Sequence, residues 1–264
     1  MTITIGNDVE FILVKGITPV SSIGLIGGSK EFPRPCRLGA LQEDNVLAEI
    51  NIYPAKTAKE WEKNNTTVIK ELIKQLPADI TLSTSASAFY GPEELNNPKA
   101  QEFGCDPDMN AWQEKFNKFQ ALKGKFKFLR SAGGHVHVGI PDMPVEDKFE
   151  LIRCMDAFIG LQALLVDKDT RRKMLYGKAG AMRIKPYGVE WRVPSNFWIH
   201  SKESRKWMFD SAYFCAANFK QLRETYSGID VVKIINTNNS KAALCTLEGM
   251  LKFTKFPIHP SIRE

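Results

Sequence analysis

The feature that most limits the fold is a pair of polar side chains, two residues apart around an apolar one, that occurs four times. The four segments are Asp8-Val9-Glu10, Glu49-Ile50-Asn51, His135-Val136-His137 and Glu190-Trp191-Arg192. Each lies in a stretch of strand character, where residues i and i+2 project from one face. The recurrence predicts one sheet with a polar face and a face toward the core. An ordinary exposed antiparallel face is the alternative, although such faces favour Lys and Thr over paired acids and histidines.

The last pair belongs to a predicted β-hairpin over residues 180–198 (GAMRIKPYGVEWRVPSNFW), whose turn contains Pro186 and Gly188. A two-residue loop places Arg183 opposite Glu190. A three-residue loop with a glycine bulge shifts the pairing by one residue, and both remain open at this point.

The remaining pattern predicts a single α+β domain over residues 1–264, because helices and strands alternate without a linker or a repeat. Trp112, Phe116 and Phe119 form one stripe of a helix predicted over residues 107–121. Segments 20–39, 86–108 and 167–180 are expected to be irregular, the first with a short edge strand. The other predicted elements are strands at 2–14, 46–53, 79–84 and 128–139, and helices at 57–76, 144–166, 200–226 and 242–253.

Bulk properties favour a cytoplasmic protein. No apolar run reaches the roughly 18 residues of a membrane span, and the N-terminus lacks a signal-peptide layout. Five widely spaced cysteines without a CxxC pair suggest reduced thiols. The net charge of +6 suits a phosphate-bearing ligand or a solvated basic surface.

The polar pairs carry the chemistry of a metal-bound triphosphate site. Convergent carboxylates raise one another's pKa unless cations intervene, and hard oxygen ligands select Mg²⁺ or Mn²⁺. A histidine can add a nitrogen ligand, and arginines suit phosphate oxygens. The carboxylates are Asp8, Glu10, Glu49 and Glu190, and the arginines are Arg171, Arg172, Arg183 and Arg192. No GxxxxGK[ST] motif occurs, so a P-loop is excluded.

Six segments, in order, resemble the phage-type carboxylate–amine ligases of the glutamine synthetase and glutamate–cysteine ligase superfamily. They are GNDVEF (6–11), AEINIYPA (48–55), FGCDPDMNAW (103–112), SAGGHVHVG (131–139), RRKMLYGKAGAMR (171–183) and YGVEWRVPSNFW (187–198). The resemblance implies a curved antiparallel sheet with helices on its convex face and a glutamine synthetase-like catalytic domain. It also implies Mg-ATP bound in the trough and an amide formed through an acyl phosphate.

Carried over residue by residue, the resemblance implies three sets of site residues. Asp8 falls where related enzymes often carry the longer Glu. The implied metal ligands are Asp8, Glu10, Glu49, His137 and Glu190; the nucleotide contacts are His135, His137, Asn51, Arg171 and Arg192; the catalytic residues are Arg183, Arg192, Glu190 and Arg172.

The leading hypothesis is therefore an ATP-dependent carbon–nitrogen ligase acting on small-molecule or peptide carboxylates and amines. A modified nucleic acid is a further possible substrate, and the oligomeric state is left open. The host cytoplasm is the expected location if the gene is phage-borne. The alternatives are a carboxylate kinase of the same superfamily, a metal-dependent nuclease and a basic binding module.

Overall fold

The centre of the molecule is a large antiparallel sheet. The computed structural model describes residues 2–101, 108–117 and 124–262, and within these ranges nine strands pair in one sheet. In spatial order they are β10 (Lys115–Phe116), β9 (Met109–Asn110), β13 (Ala181–Lys185), β14 (Gly188–Trp191), β12 (Gly134–Gly139), β1 (Thr4–Phe11), β6 (Leu47–Ile52), β5 (Gly39–Asp44) and β4 (Arg34–Cys36). Two smaller sheets join β2 (Leu13–Lys15) to β3 (Thr18–Val20) and β7 (Ile80–Leu82), and β8 (Ser87–Phe89) to β11 (Leu129–Ser131).

Helices cover the apolar face of the large sheet. Helix α1 (Ala58–Gln75) packs on β5 and β6, and its N-terminus is capped by Thr57, whose side chain accepts from Glu60 N–H. Helix α3 (Val145–Met155) packs on β13 and β14, and α5 (Lys202–Tyr226) packs on β1 and β12. The others are α2 (Pro98–Gln101), α4 (Leu161–Val166), α6 (Val231–Asn236) and α7 (Ser240–Leu251).

The helix predicted over residues 144–166 is confirmed, with an irregularity in its middle. A π-helical turn at Asp156–Gly160 joins α3 to α4 without a break in the chain direction. Such turns interrupt helices where a side chain needs a special position. Asp156 is fully buried here and accepts hydrogen bonds from Trp112 Nε1, Trp191 Nε1 and Gly180 N–H. The turn therefore ties the helix to the β13–β14 hairpin.

The helix predicted over residues 107–121 is wrong in its described part. Residues 108–117 form the β9–β10 hairpin instead, since the Asn110 side chain accepts from the N–H groups of Trp112 and Gln113 and Glu114 has φ +54°. This turn chemistry competes with helix formation. Phe116 is 67% exposed, not part of a core stripe. Phe119 lies outside the described residues.

Other predictions differ in smaller ways. The segment 86–108, predicted as irregular, contains β8 and α2 in its described part, and α6 was not predicted. The edge strand expected within 20–39 is β4. None of the helices in the described ranges combines the length and apolar content that crossing a membrane requires. Four described cysteines are free thiols: Cys36, Cys154, Cys215 and Cys245.

Candidate functional site

The sheet register brings the four polar pairs together. Strand β1 lies between β12 and β6, so that Asp8 faces His135 on one side and Asn51 on the other. Glu10 stands opposite Glu49. Strand β12 also pairs with β14, where His137 stands opposite Glu190. The central residues Val9, Ile50, Val136 and Trp191 are fully buried on the opposite face. The alternation therefore separates a polar face from the helix-covered core, as predicted.

The hairpin has the two-residue loop of Pro186 and Tyr187. Lys185 pairs with Gly188, and Arg183 is thus opposite Glu190. The polar face lines a cavity of about 330 Å³. Among the predicted site residues, those that line it are Asp8, Glu10, Glu49, Asn51, His135, His137, Arg172, Arg183 and Arg192. Glu190 lies beneath this surface and is fully buried.

One group of ligands combines two acids with a histidine. One atom each of Asp8, His137 and Glu190 lies within 4.8 Å of the others, and we call these three residues the mixed group. His137 Nε2 is 3.2 Å from Asp8 Oδ2. Cations surround Glu190: Lys185 Nζ lies 2.8 Å away, Arg183 Nη1 lies 3.7 Å away, and Arg192 Nη1 donates to it.

The cations set the charge state of the mixed group. Burial and the Asp8 charge raise the pKa of Glu190, but Arg192 and the two histidines outweigh them and lower it to about 2. Burial likewise raises the pKa of Asp8, yet His137 and His135 bring it well below its usual value. Burial lowers the pKa of His137, but Asp8 more than offsets this and raises it. Both acids are therefore ionised at neutral pH.

A second group consists of acids alone. Oxygens of Glu10, Asp44 and Glu49 lie within 4.8 Å of one another, and we call these residues the carboxylate group. Burial and the nearby Asp44 raise the pKa of Glu10 to about 7. Burial and the charges of Asp8, Asp44 and Glu10 raise the pKa of Glu49 well above normal. Like charges in this arrangement repel, and a bound cation relieves the repulsion.

His135 differs from His137 in its environment. It is 4% exposed, and its Nδ1 lies 2.9 Å from Asp8 Oδ1. Burial and Arg192 lower the pKa of His135 to about 4, so the ring is neutral at pH 7. Arg192 Nη1 lies 3.3 Å from the same Nδ1. A Cβ on Gly133 would collide with the His135 ring. The absence of a side chain at Gly133 therefore leaves room for this imidazole.

Three of the predicted arginines line the cavity: Arg172, Arg183 and Arg192. Arg192 Nε is 2.8 Å from Asp108 Oδ1, and Arg183 Nε is 3.7 Å from the same atom. Arg172 is 4% exposed, donating to the Ser131 hydroxyl at 3.2 Å and the Arg192 carbonyl at 3.3 Å. Burial lowers the pKa of Arg172.

The structure does not bring Arg171 to the cavity. Its guanidinium donates to Asp169 and to the Ser87 carbonyl, so Arg171 lies apart from the other residues predicted to contact the nucleotide. Its neighbour Arg172 points inward because the two lie in a 3₁₀ turn, Arg171–Met174, which directs adjacent side chains apart. Asn51 lines the cavity and donates to Gln42 Oε1 at 3.2 Å.

Sequence reasoning missed Asp44, Lys185 and Tyr187. Gln42 and Asp44 are spaced like the other pairs, but the residue between them is Glu43, so the alternation is hidden. Arg183 and Lys185 are also two apart around Ile184. A search for polar pairs with any central residue would have found both. Asp108 is the ion-pair partner of Arg192 and Arg183.

This donor set suits divalent cations. Each group offers three ligand atoms, five of the six residues being carboxylates, which suits Mg²⁺ or Mn²⁺. Lys185, Arg183 and Arg192 stand beside the mixed group and supply positive charge for phosphate oxygens.

Comparisons with known proteins match part of the chain to a ligase family. Residues 115–237, a little under half of the chain, match the family described as phage phiEco32-like COOH.NH2 ligase-type 2. No curated protein matches the sequence. The crystal structure of a bifunctional glutathione synthetase from Pasteurella multocida aligns with 97% of this chain at 9% identity and a TM-score of 0.44. The alignment covers 47% of that protein, and a likeness this low carries no argument.

Proposed function

We propose that the protein is an ATP-dependent carboxylate–amine ligase with a glutamine synthetase-like catalytic domain over residues 1–264. The observation that carries the proposal is that the ligand atoms of two three-residue groups lie in, or directly beneath, one cavity that is also lined by Arg172, Arg183, Lys185 and Arg192. The family similarity of residues 115–237 points to the same reaction class. The proposed substrates are a small-molecule or peptide carboxylate, an amine and ATP.

The metal ligands of the proposal follow from the two groups. Asp8, His137 and Glu190 hold one Mg²⁺, and the carboxylate group holds a second. When bound, these ions neutralise the triphosphate so that an anionic carboxylate can approach it. The carboxylate group sits on the β1–β6–β5 side of the cavity, and the mixed group on the β1–β12–β14 side. A triphosphate lying across β1 contacts both.

The proposed reaction has two steps. A carboxylate oxygen attacks the γ-phosphorus, the bond to the β–γ bridging oxygen breaks, and an acyl phosphate and ADP form. A neutral amine then attacks the acyl carbon and loses a proton, and inorganic phosphate leaves as the amide forms. The first step converts a poor electrophile into an acyl donor.

The arginines stabilise charge on the transferring phosphoryl group. Asp108 fixes Arg192 through its Nε, which aims the remaining guanidinium nitrogens at Glu190 and the cavity. Arg183 approaches from the neighbouring strand. Arg172, whose bonds to Ser131 and the Arg192 carbonyl are long, is placed to hold phosphate or the substrate carboxylate.

The decisive experiment supplies ATP, Mg²⁺ and pools of acids and amines, and measures ADP and phosphate. Hydroxylamine in place of the amine should give a hydroxamate, which reports the acyl phosphate. Glu49→Gln should reduce ADP formation by on the order of 10³-fold, because it removes a ligand of the carboxylate group. The matched control is Glu248→Gln, an exposed position on α7, and it should keep full turnover.

Two results would overturn the assignment. The first is no metal-dependent ATP binding by calorimetry together with no ADP from any pool. The second is unaltered turnover in Glu49→Gln. A phosphorylated product that forms without amide would instead identify the carboxylate kinase.

A further inference from the structure

The hairpin turn places a tyrosine on the histidine of the mixed group. Tyr187 is the second residue of the β13–β14 loop, and its ring lies nearly parallel to the His137 imidazole, with 14° between the planes. The two ring centroids are 6.0 Å apart. Tyr187 Oη is 2.6 Å from His137 Nδ1, a short hydrogen bond. The tyrosine therefore contacts the ring nitrogen that faces away from Asp8.

The backbone holds this tyrosine against the end of β12. Ile140 N–H donates to the Tyr187 carbonyl at 2.9 Å, three residues beyond His137. The pairing of Gly139 with Gly188 fixes the other side of the turn. The backbone position of Tyr187 is thus fixed relative to the end of β12.

The direction of this hydrogen bond decides what His137 can bind. A neutral imidazole has one N–H donor and one lone-pair nitrogen. If Nδ1–H donates to Tyr187 Oη, the Nε2 lone pair is left for a cation shared with Asp8. If instead the phenol donates to Nδ1, Nε2 carries the proton and donates to Asp8, 3.2 Å away. In the second arrangement Nε2 carries a proton and has no lone pair to offer a cation.

We infer that Tyr187 is a positioning residue that accepts the Nδ1 proton of His137 and so presents Nε2 to a divalent cation held by Asp8 and Glu190. The inference rests on the proposed function, since it presupposes that cation. The phenol can then donate its own proton to solvent, since Tyr187 is 45% exposed. Partners of this kind fix the tautomer and ring orientation of a metal-binding histidine.

The test removes the hydroxyl and keeps the ring. Tyr187→Phe and wild-type protein, both stripped of metal, are titrated with Mn²⁺ while free Mn²⁺ is followed by electron paramagnetic resonance. Loss of such a partner typically weakens metal binding about 10- to 100-fold, and we expect this range at one site. The control is Tyr213→Phe, whose ring stacks on Phe209 with 6.0 Å between centroids and 21° between planes. It should bind Mn²⁺ as wild type does.

A second readout reports the proton directly. In Mg²⁺-loaded wild-type protein, the ¹⁵N shifts of the His137 ring should show a protonated Nδ1 and an unprotonated Nε2. A His137→Gln sample assigns the signals, and circular dichroism establishes that both Phe variants are folded. In Tyr187→Phe the two tautomers should become mixed.

Each outcome decides a different claim. The role of Tyr187 is overturned if wild type binds Mn²⁺ and Tyr187→Phe binds it equally or more tightly. It is also overturned if Nε2 carries the proton in wild type. In both cases the ligase proposal stands. If wild type binds neither Mn²⁺ nor Mg-ATP, the proposed function fails and the inference fails with it.

Discussion

The carboxylate group and the mixed group lie on either side of β1 and differ in their charge balance. Glu190 in the mixed group has Lys185, Arg183 and Arg192 within ion-pair distance. Glu10 and Glu49 face each other across a strand pair, where like charges are unfavourable. The pKa is lowered for Glu190 and raised for Glu10 and Glu49. The protein thus compensates the charge of one acid cluster with nearby cations and leaves the other with an excess of negative charge.

This difference suggests a division of labour in the proposed reaction. The carboxylate group has the surplus negative charge that attracts a divalent cation strongly. The mixed group has cations already in place, so it suits the end of the nucleotide where charge moves during transfer. Three experiments test whether the two groups differ in this way.

The largest expected effect is a loss of turnover when a cation beside the mixed group is replaced. Arg192→Lys should slow ADP formation by about 10³-fold or more, because lysine cannot reach Asp108 and the phosphoryl group together with fixed geometry. Steady-state rates with saturating Mg-ATP measure this. Arg205→Lys is the control, since Arg205 makes a two-point contact to Glu62 between α1 and α5. A rate in Arg192→Lys equal to the control's would contradict the role of Arg192.

The next effect is on the free energy of unfolding of the metal-free protein at pH 7. Glu190→Gln leaves Arg192 and Lys185 without their carboxylate and should destabilise by about 3–5 kcal/mol. Glu49→Gln removes a buried carboxyl whose ionisation is opposed by burial and by its acidic neighbours, and should stabilise by roughly 1 kcal/mol. Urea unfolding with chelator present measures both. Equal losses in the two variants would show that the groups do not differ as described.

The smallest effect is a pH dependence assigned to Glu10. Its pKa is raised from 4.5 to about 7, so the folded protein binds the extra proton more tightly. The extra proton contributes up to about 3 kcal/mol to the free energy of unfolding below pH 4.5. This contribution is lost as pH rises through 7. His135, with its pKa lowered to about 4, contributes with the opposite sign.

The measurement is therefore the difference between wild type and Glu10→Gln across pH 4.5 to 7 without metal. Wild type should lose stability relative to the variant as pH rises. Saturating Mg²⁺ should flatten the difference, because the cation holds Glu10 ionised. A difference that is constant with pH would show that Glu10 keeps its ordinary pKa.

Much of the polar face could be predicted from local spacing. Asp8, Glu10, Glu49 and His137 were assigned to one face because alternation along a strand fixes which side a residue takes. Lys185 follows the same rule, being two residues from Arg183 on the same strand, but an isolated lysine on a strand is also typical of an ordinary solvated surface. Asp44 escaped notice because the residue before it is polar as well.

Other features depended on contacts that spacing does not encode. The helix expected over residues 107–121 gave way to a hairpin because Asn110 captures two backbone N–H groups. Arg171 and Arg172 are neighbours in the chain, yet only Arg172 reaches the cavity. The role of Gly133 followed from the His135 ring packed against it.

The sequence by itself determined which side chains share a face of each strand and that acids and cations occupy that face. Which acids lie together depends on the tertiary structure. Asp8 and Glu190 lie on strands separated by β12, and Glu10 and Asp44 lie on strands separated by β6. The physical reason is that alternation is a property of a few consecutive residues. Strand order and register instead depend on hydrogen bonds and packing between segments far apart in the chain.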